Sequence, residues 1–296
     1  MLFVFLRRLL VRFSLPGVLL ALVIGVLLHD PAPDNFSQAK QLAREHVYHD
    51  RNASQQPGTL YCGCNWHWTG TSGGRTDLAS CGYRVRSQDT RANRIEWEHV
   101  VPASWMGQQR QCWQQGGRKN CSANDPFFSR MEADLHNLAP AIGEVNADRS
   151  NYAFAMVSAR GGQYGRCNSK TDFKQRKFEP RNEVKGMVAR VNFYVHDRYD
   201  LRMSKQQQQL FMRWHQQYPP SQWELERDRR IAKIMGHSND FVTGKRSWSL
   251  GHRNSAAGLH NDLPMRMQRL ADQISNGELE PLLHKTAFSL SQILQK

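Results

Sequence analysis

Residues 94–103 run Arg94-Ile95-Glu96-Trp97-Glu98-His99-Val100-Val101-Pro102-Ala103, a strand-like stretch that sets an acid and a histidine side by side among apolar neighbours. A second segment of the same kind begins Met131-Glu132-Ala133-Asp134-Leu135-His136-Asn137-Leu138-Ala139-Pro140. It continues Ala141-Ile142-Gly143-Glu144-Val145-Asn146-Ala147-Asp148-Arg149-Ser150-Asn151, and reads as a short strand followed by a helix rich in carboxamides and carboxylates. Strand, long insertion, strand and helix can hold one hard metal ion between a strand end and a helix face. In a regular strand Glu98 and His99 point to opposite sides, so both serve one site only where the strand bends or ends. Pro102 gives it a reason to end there.

The residue types suit phosphodiester hydrolysis, which needs a base to activate water, a cation at the leaving oxygen and a positive group on the phosphate. A histidine with an ordinary pKa near 6.5 suits the first role. A carboxylate paired with a carboxamide suits magnesium, which takes few protein ligands and keeps several waters.

Composition agrees with an anionic partner. Lys and Arg number 40 against 26 Asp and Glu, a formal charge of +14, and such an excess gains affinity for phosphates by releasing counterions. Charge alone does not separate nucleic acid from anionic lipid or wall polymer. The N-terminus places Arg7, Arg8 and Arg12 before an uncharged apolar run from Leu15 to Leu28. That run is shorter than the roughly 20 residues a spanning helix needs, so residues 1–29 read as a signal peptide, with an uncleaved membrane anchor as the alternative. Behind an export signal, the six cysteines, Cys62, Cys64, Cys81, Cys112, Cys121 and Cys167, read as three disulfides. A zinc site with His67 is the rival, weakened because no second CxxC or HxxxH half is present. Cys112 and Cys121 bracket the short stretch holding Arg118, and their pairing would fix that guanidinium.

With 40% hydrophobic and 10% aromatic residues over 296 positions, the chain can bury a full core. Ser37 can cap a helix carrying Ala39, Leu42, Ala43 and Val47; residues 54–94 read as loops and short strands. Val184, Met187, Val188, Val191 and Val195 form a buried helical stripe. A further helix runs from Ser204 to Tyr218. Ser221 with Glu224 makes a capping box for another, which ends at Gly236. From Ser247 the character changes, so the expected division is a leader (1–29), one domain (30–246) and an extension (247–296) without evident chemistry.

WEHVVPA, HNLAPAIGEVNADRSN, YCGC, SCGYRVR, QRQCWQQGGRKNC and ERDRRIAKIMG together resemble the bacterial endonuclease I family of periplasmic and secreted nucleases, over roughly Phe36 to Phe241. The resemblance implies a mixed α+β single domain with a ββα-metal (His-Me finger) site. It implies a magnesium-dependent endonuclease that cuts DNA, and RNA, without sequence specificity and leaves 5′-phosphate ends. Carried over by motif, His99 is the general base and Glu98 and Asn146 are the Mg2+ ligands. Arg118 contacts the phosphate, and a backbone carbonyl near Glu132 orients His99. Asn137, Asp148 and Asn151 are rivals to Asn146. His136, His67, His196, His215 and His237 read as structural or surface groups. No nucleotide cofactor is implied, and a monomer is expected. The alternatives are a catalytically inactive, basic envelope protein that binds nucleic acid, and a membrane-anchored envelope protein, attached by its N-terminal segment, whose tail recruits partners. The chain departs from the family in lacking a cysteine at Leu225 and another near Asn239-Asp240-Phe241, and in carrying the tail.

Overall fold

A computed structural model describes residues 32–53, 57–158 and 161–259; the expected leader and the tail beyond residue 259 lie outside them. Helix α1, Phe36–Leu42, widens into a π-helical turn over Ala43–Val47 and buries Ala39, Ala43 and Val47. Its cap is Asn35 rather than Ser37. Asn35 is extended and its side chain accepts the Gln38 amide at 3.0 Å, so the helix opens two residues earlier than the serine suggested.

Strands β1 (Asn65–Thr69) and β2 (Gly73–Asp77) form a hairpin, and a short helix α2 (Asp89–Ala92) leads to β3 (Ile95–His99). Three helices fill the insertion that follows: α3 (Ala103–Gly107), α4 (Gln111–Asn124) and α5 (Pro126–Glu132). The chain then enters β4 (Leu138–Ile142), antiparallel to β3 with Glu98 opposite Ala139 and His99 opposite Leu138. Helix α6, Gly143–Arg149, starts directly from β4. The stretch from Met131, expected as strand, begins as the end of α5, which Asp125 caps and Pro126 opens. Helix α4 is broken at Gly116 and Gly117, where the backbone leaves helical angles, and Cys112 and Cys121 are bonded across the break.

A small mixed sheet of β5 (Ala153–Phe154), β6 (Lys170–Asp172) and β7 (Lys177–Glu179) precedes the helical layer. That layer is α7 (Asn182–Arg198), α8 (Lys205–Gln217), α9 (Gln222–Met235) and α10 (Asp240–Thr243). The expected stripe is buried in α7. Ser221 caps α9 as expected, but the Glu224 carboxylate is committed elsewhere, to buried Arg190, so the box closes on one side only. Gly236 ends α9 in the left-handed conformation. Among the described residues no helix is long and apolar enough to cross a membrane.

The cysteines form Cys62–Cys167, Cys64–Cys81 and Cys112–Cys121, leaving no thiol for zinc. Where the family's missing disulfide would staple α9 to the chain beyond it, Asn239 ties the same junction. Its amide donates to Asp228 Oδ1 (2.7 Å), its Nδ2 to the Arg190 carbonyl (3.1 Å), and its Oδ1 caps Phe241. The compact unit spans Pro31–Leu259 and so takes in residues 247–259. There Trp248 stacks on Phe193 and His252, while His252 and Ser255 bond the Asp197 carboxylate at the end of α7.

Candidate active site

The end of β3 sets the geometry. Beyond His99 the Val100 amide still donates to the Asn137 carbonyl (3.0 Å), and then the ladder gives way to the Asn137 side chain: Oδ1 accepts the Val101 amide (2.8 Å) and Nδ2 donates to the Val101 carbonyl (2.9 Å). Arg149, from the last turn of α6, donates to the carbonyls of His99 (2.9 Å) and Val100 (2.5 Å). The strand therefore stops where Glu98 and His99 sit, and both are buried, 2% and 7% exposed, rather than one being in and one out.

Glu96 and Glu98 share one face of β3, and Asn146 and Arg149 share one face of α6. These faces meet: Asn146 Nδ2 donates to Glu96 Oε2 at 2.9 Å, and Arg149 Nη1 lies 3.0 Å from Glu98 Oε1. The structure thus lays the helix face bearing Asn146 against the strand face bearing Glu98. The Asn146 amide bonds the neighbouring Glu96, which turns its Oδ1 away from that carboxylate.

His99 Nε2 stands 2.8 Å from the Glu132 carbonyl. A carbonyl can only accept, so Nε2 carries the proton and Nδ1 keeps the lone pair with which a base works. Burial pushes the imidazole pKa down to about 3, with Arg118 and Arg149 acting in the same direction against the carbonyl, so the ring is neutral at physiological pH. The Glu132 carboxylate meanwhile accepts from Arg118 Nε and from Ser122 Oγ (2.7 Å). One residue thus fixes two site groups, by its backbone and by its side chain. Arg118 sits just past the break in α4 and is 47% exposed, open to an incoming anion.

Hard oxygen donors suit a divalent cation here. Glu98 accepts Tyr61 OH on Oε1 (2.6 Å), which is also ion-paired with Arg149 at 3.0 Å, leaving Oε2 as the oxygen for a cation; burial raises its pKa, so added positive charge would favour the carboxylate. Among the described residues no three His, Cys, Asp or Glu side chains form a metal cage. A cation would rely on Glu98, on partly exposed Asn146 and on water, the pattern magnesium accepts. The rivals are committed elsewhere. Asn137 holds Val101, Asp148 bonds Arg86 and Tyr164, and Asn151 accepts from Arg176. His136 is wholly buried, with Nε2 3.0 Å from the His237 carbonyl.

The sequence profile of Endonuclease I matches residues 35–245. The chain belongs to the endonuclease I family. An extracellular deoxyribonuclease of Aeromonas hydrophila is 45% identical over 225 residues, 76% of this chain and 96% of the relative. A periplasmic deoxyribonuclease of the same organism is 44% identical over 225 residues, 76% and 93% of the two chains. Endonuclease-1 of Buchnera aphidicola is 45% identical over 213 residues, 71% and 84%.

In this endonuclease I chain two groups at the site escaped the sequence reading. Arg149 lay inside the quoted HNLAPAIGEVNADRSN motif, three residues after Asn146, and that helical spacing was the signal that it shares the face of Asn146. Tyr61 opens YCGC. Its fully buried hydroxyl donates to Glu98 while the adjacent Cys62 is bonded to Cys167, and nothing local in the sequence joins it to a residue 37 positions away.

Proposed function

We propose that this chain is an exported, magnesium-dependent endonuclease that hydrolyses DNA, and RNA, without sequence preference. It acts as a monomer and leaves 5′-phosphate ends. The observation that carries the reading is the His99 imidazole, neutral and clamped through Nε2 on the Glu132 carbonyl, beside a buried carboxylate and an exposed guanidinium.

His99 Nδ1 takes the proton of the attacking water. Arg118 binds the phosphate and stabilises the charge that grows on its oxygens. Glu98 and Asn146 would hold the cation, which when bound supplies positive charge at the leaving 3′ oxygen. Arg149 and Tyr61 hold Glu98 in place. A net charge of +14 and a backbone-directed site favour contacts with phosphates over base edges, hence broad substrate choice. The names of the relatives and the apolar N-terminal run support export to the periplasm or the medium.

The test is plasmid cleavage by oxidised protein in magnesium and in EDTA, with His99→Ala alongside. Metal-dependent smearing that falls by roughly 10²–10⁴-fold in the variant, with DNA binding in EDTA retained, is expected. Plasmid left intact under both conditions would favour the non-catalytic binder.

A further inference from the structure

Phe36, the first residue of α1, touches both halves of the hydrolytic pair. Its ring centroid lies 4.7 Å from that of His99, with the planes inclined at 39°. The Arg118 guanidinium carbon lies 5.3 Å from the same centroid and Lys40 Nζ 4.9 Å from it. The ring is held in place by its own backbone: Asn35 caps the helix, and the Asp34 carbonyl accepts Ser129 Oγ from α5 at 2.8 Å. The helix that supplies the Glu132 carbonyl and carboxylate thus also anchors the segment that supplies Phe36.

We propose that Phe36 is a positioning residue for the cleavage reaction, its ring packing the His99 imidazole onto the Glu132 carbonyl and keeping Arg118 over the same spot. The inference rests on the roles of His99 and Arg118 proposed above. A single hydrogen bond through Nε2 leaves an imidazole free to swing about that bond, and a ring against it removes the freedom. Half-exposed Arg118 has one carboxylate partner, and an ion pair in contact with water defines a guanidinium's position poorly. An aromatic face on the same cation supplies a second restraint. Lys40, on the next turn of α1, adds charge beside the place where a phosphate would lie.

Phe36→Leu keeps apolar bulk and removes the aromatic face; Phe36→Tyr keeps the face. On duplex DNA at saturating magnesium, Phe36→Leu should lower kcat by about 10- to 100-fold, as small misplacements of reacting groups do, with a smaller change in KM and an unchanged melting temperature. Phe36→Tyr should restore most of the rate. In an Arg118→Ala background the Leu substitution should cost less, because only its packing against His99 is left to lose. A Phe36→Leu enzyme with wild-type kcat, or a Tyr variant as slow as the Leu variant, would overturn the proposal, and an undiminished cost in the Arg118→Ala background would overturn its Arg118 half. If Phe36→Leu does not fold, Phe36→Met against Phe36→Tyr makes the same comparison. His99→Ala separates the two levels of inference. Should it cleave normally, the site assignment fails; should it be inactive while Phe36→Leu is normal, only the role of Phe36 is lost.

Discussion

Arg149 Nη1 lies 3.0 Å from Glu98 Oε1, and both side chains are almost wholly buried. The pair closes the end of β3: the guanidinium also takes the carbonyls of His99 and Val100, so one side chain neutralises the carboxylate and terminates the strand. Removing it would strand a buried charge, which costs about 3–5 kcal/mol. Arg149→Ala is expected to lose that much in denaturant titrations and to lose cleavage with it. An equally stable variant would show that the pair holds nothing in place.

Metal dependence should separate the carboxamides. Glu98→Ala and Asn146→Ala should each raise the magnesium concentration for half-maximal cleavage, by at least the roughly 10- to 100-fold that follows loss of a group merely orienting a ligand. Asn137→Ala should instead lower the melting temperature and leave the metal requirement alone, because both ends of that carboxamide hold Val101. Magnesium titrations of the three variants decide the choice of Asn146.

Acid should unfold the protein through its buried histidines, His99 among them, whose pKa burial drops to about 3. Burial drops the pKa of His136 to about 3 and that of His196 to about 4. In the unfolded chain all three return to about 6.5, so above that pH neither state binds the extra protons and stability is full. As the pH falls from 6.5 towards 4 the unfolded chain takes up three protons, on His99, His136 and His196, that the folded one refuses. Stability should then decline by up to roughly 1.4 kcal/mol per pH unit for each histidine. Denaturant midpoints at pH 8, 6 and 5 measure the slope, and His196→Gln should reduce it by about a third.

The extension should divide into a structural part and a dispensable one. Residues 247–259 bring Trp248 into a stack with Phe193 at 4.9 Å and His252 onto Asp197 at 2.8 Å. Loss of a buried tryptophan alone costs about 3–5 kcal/mol. A chain ending at Arg246 should melt roughly 10 °C lower yet cleave while folded, since the groups given chemical roles lie between Phe36 and Arg149. A chain ending at Leu259 should retain both properties; lost cleavage with normal melting would place the tail in the DNA groove.

What was legible in the sequence followed periodicity and local chemistry. The apolar stripe of α7, the Ser221 cap, the Gly236 stop and the strand broken near Pro102 each depend on residues close together in the chain. Asn35 displaced Ser37 as the cap of α1 because several small polar residues lay within one turn of each other, and only backbone angles choose among them. The start of the Met131 segment was misjudged as strand although Asp125-Pro126, a cap and a first-turn proline, stood just upstream. Glu98, His99, Arg118 and Asn146 came with the family motifs. Tyr61, Arg149 and Phe36 did not, because their meaning lies in contacts across 37, 51 and 63 positions, to Glu98, Glu98 and His99. No pattern within a helix or strand encodes such distances.

Two of the three disulfides end beside groups of the site, Cys62 next to Tyr61 and Cys112 with Cys121 on either side of Arg118. A nuclease is dangerous cargo for the cell that makes it. Inside a cytosol that keeps thiols reduced, neither crosslink can form, and Tyr61 and Arg118 would lack the covalent braces that fix them. Oxidation of the cysteines would supply those braces, which ties the order of the site to the redox state of the compartment around the chain.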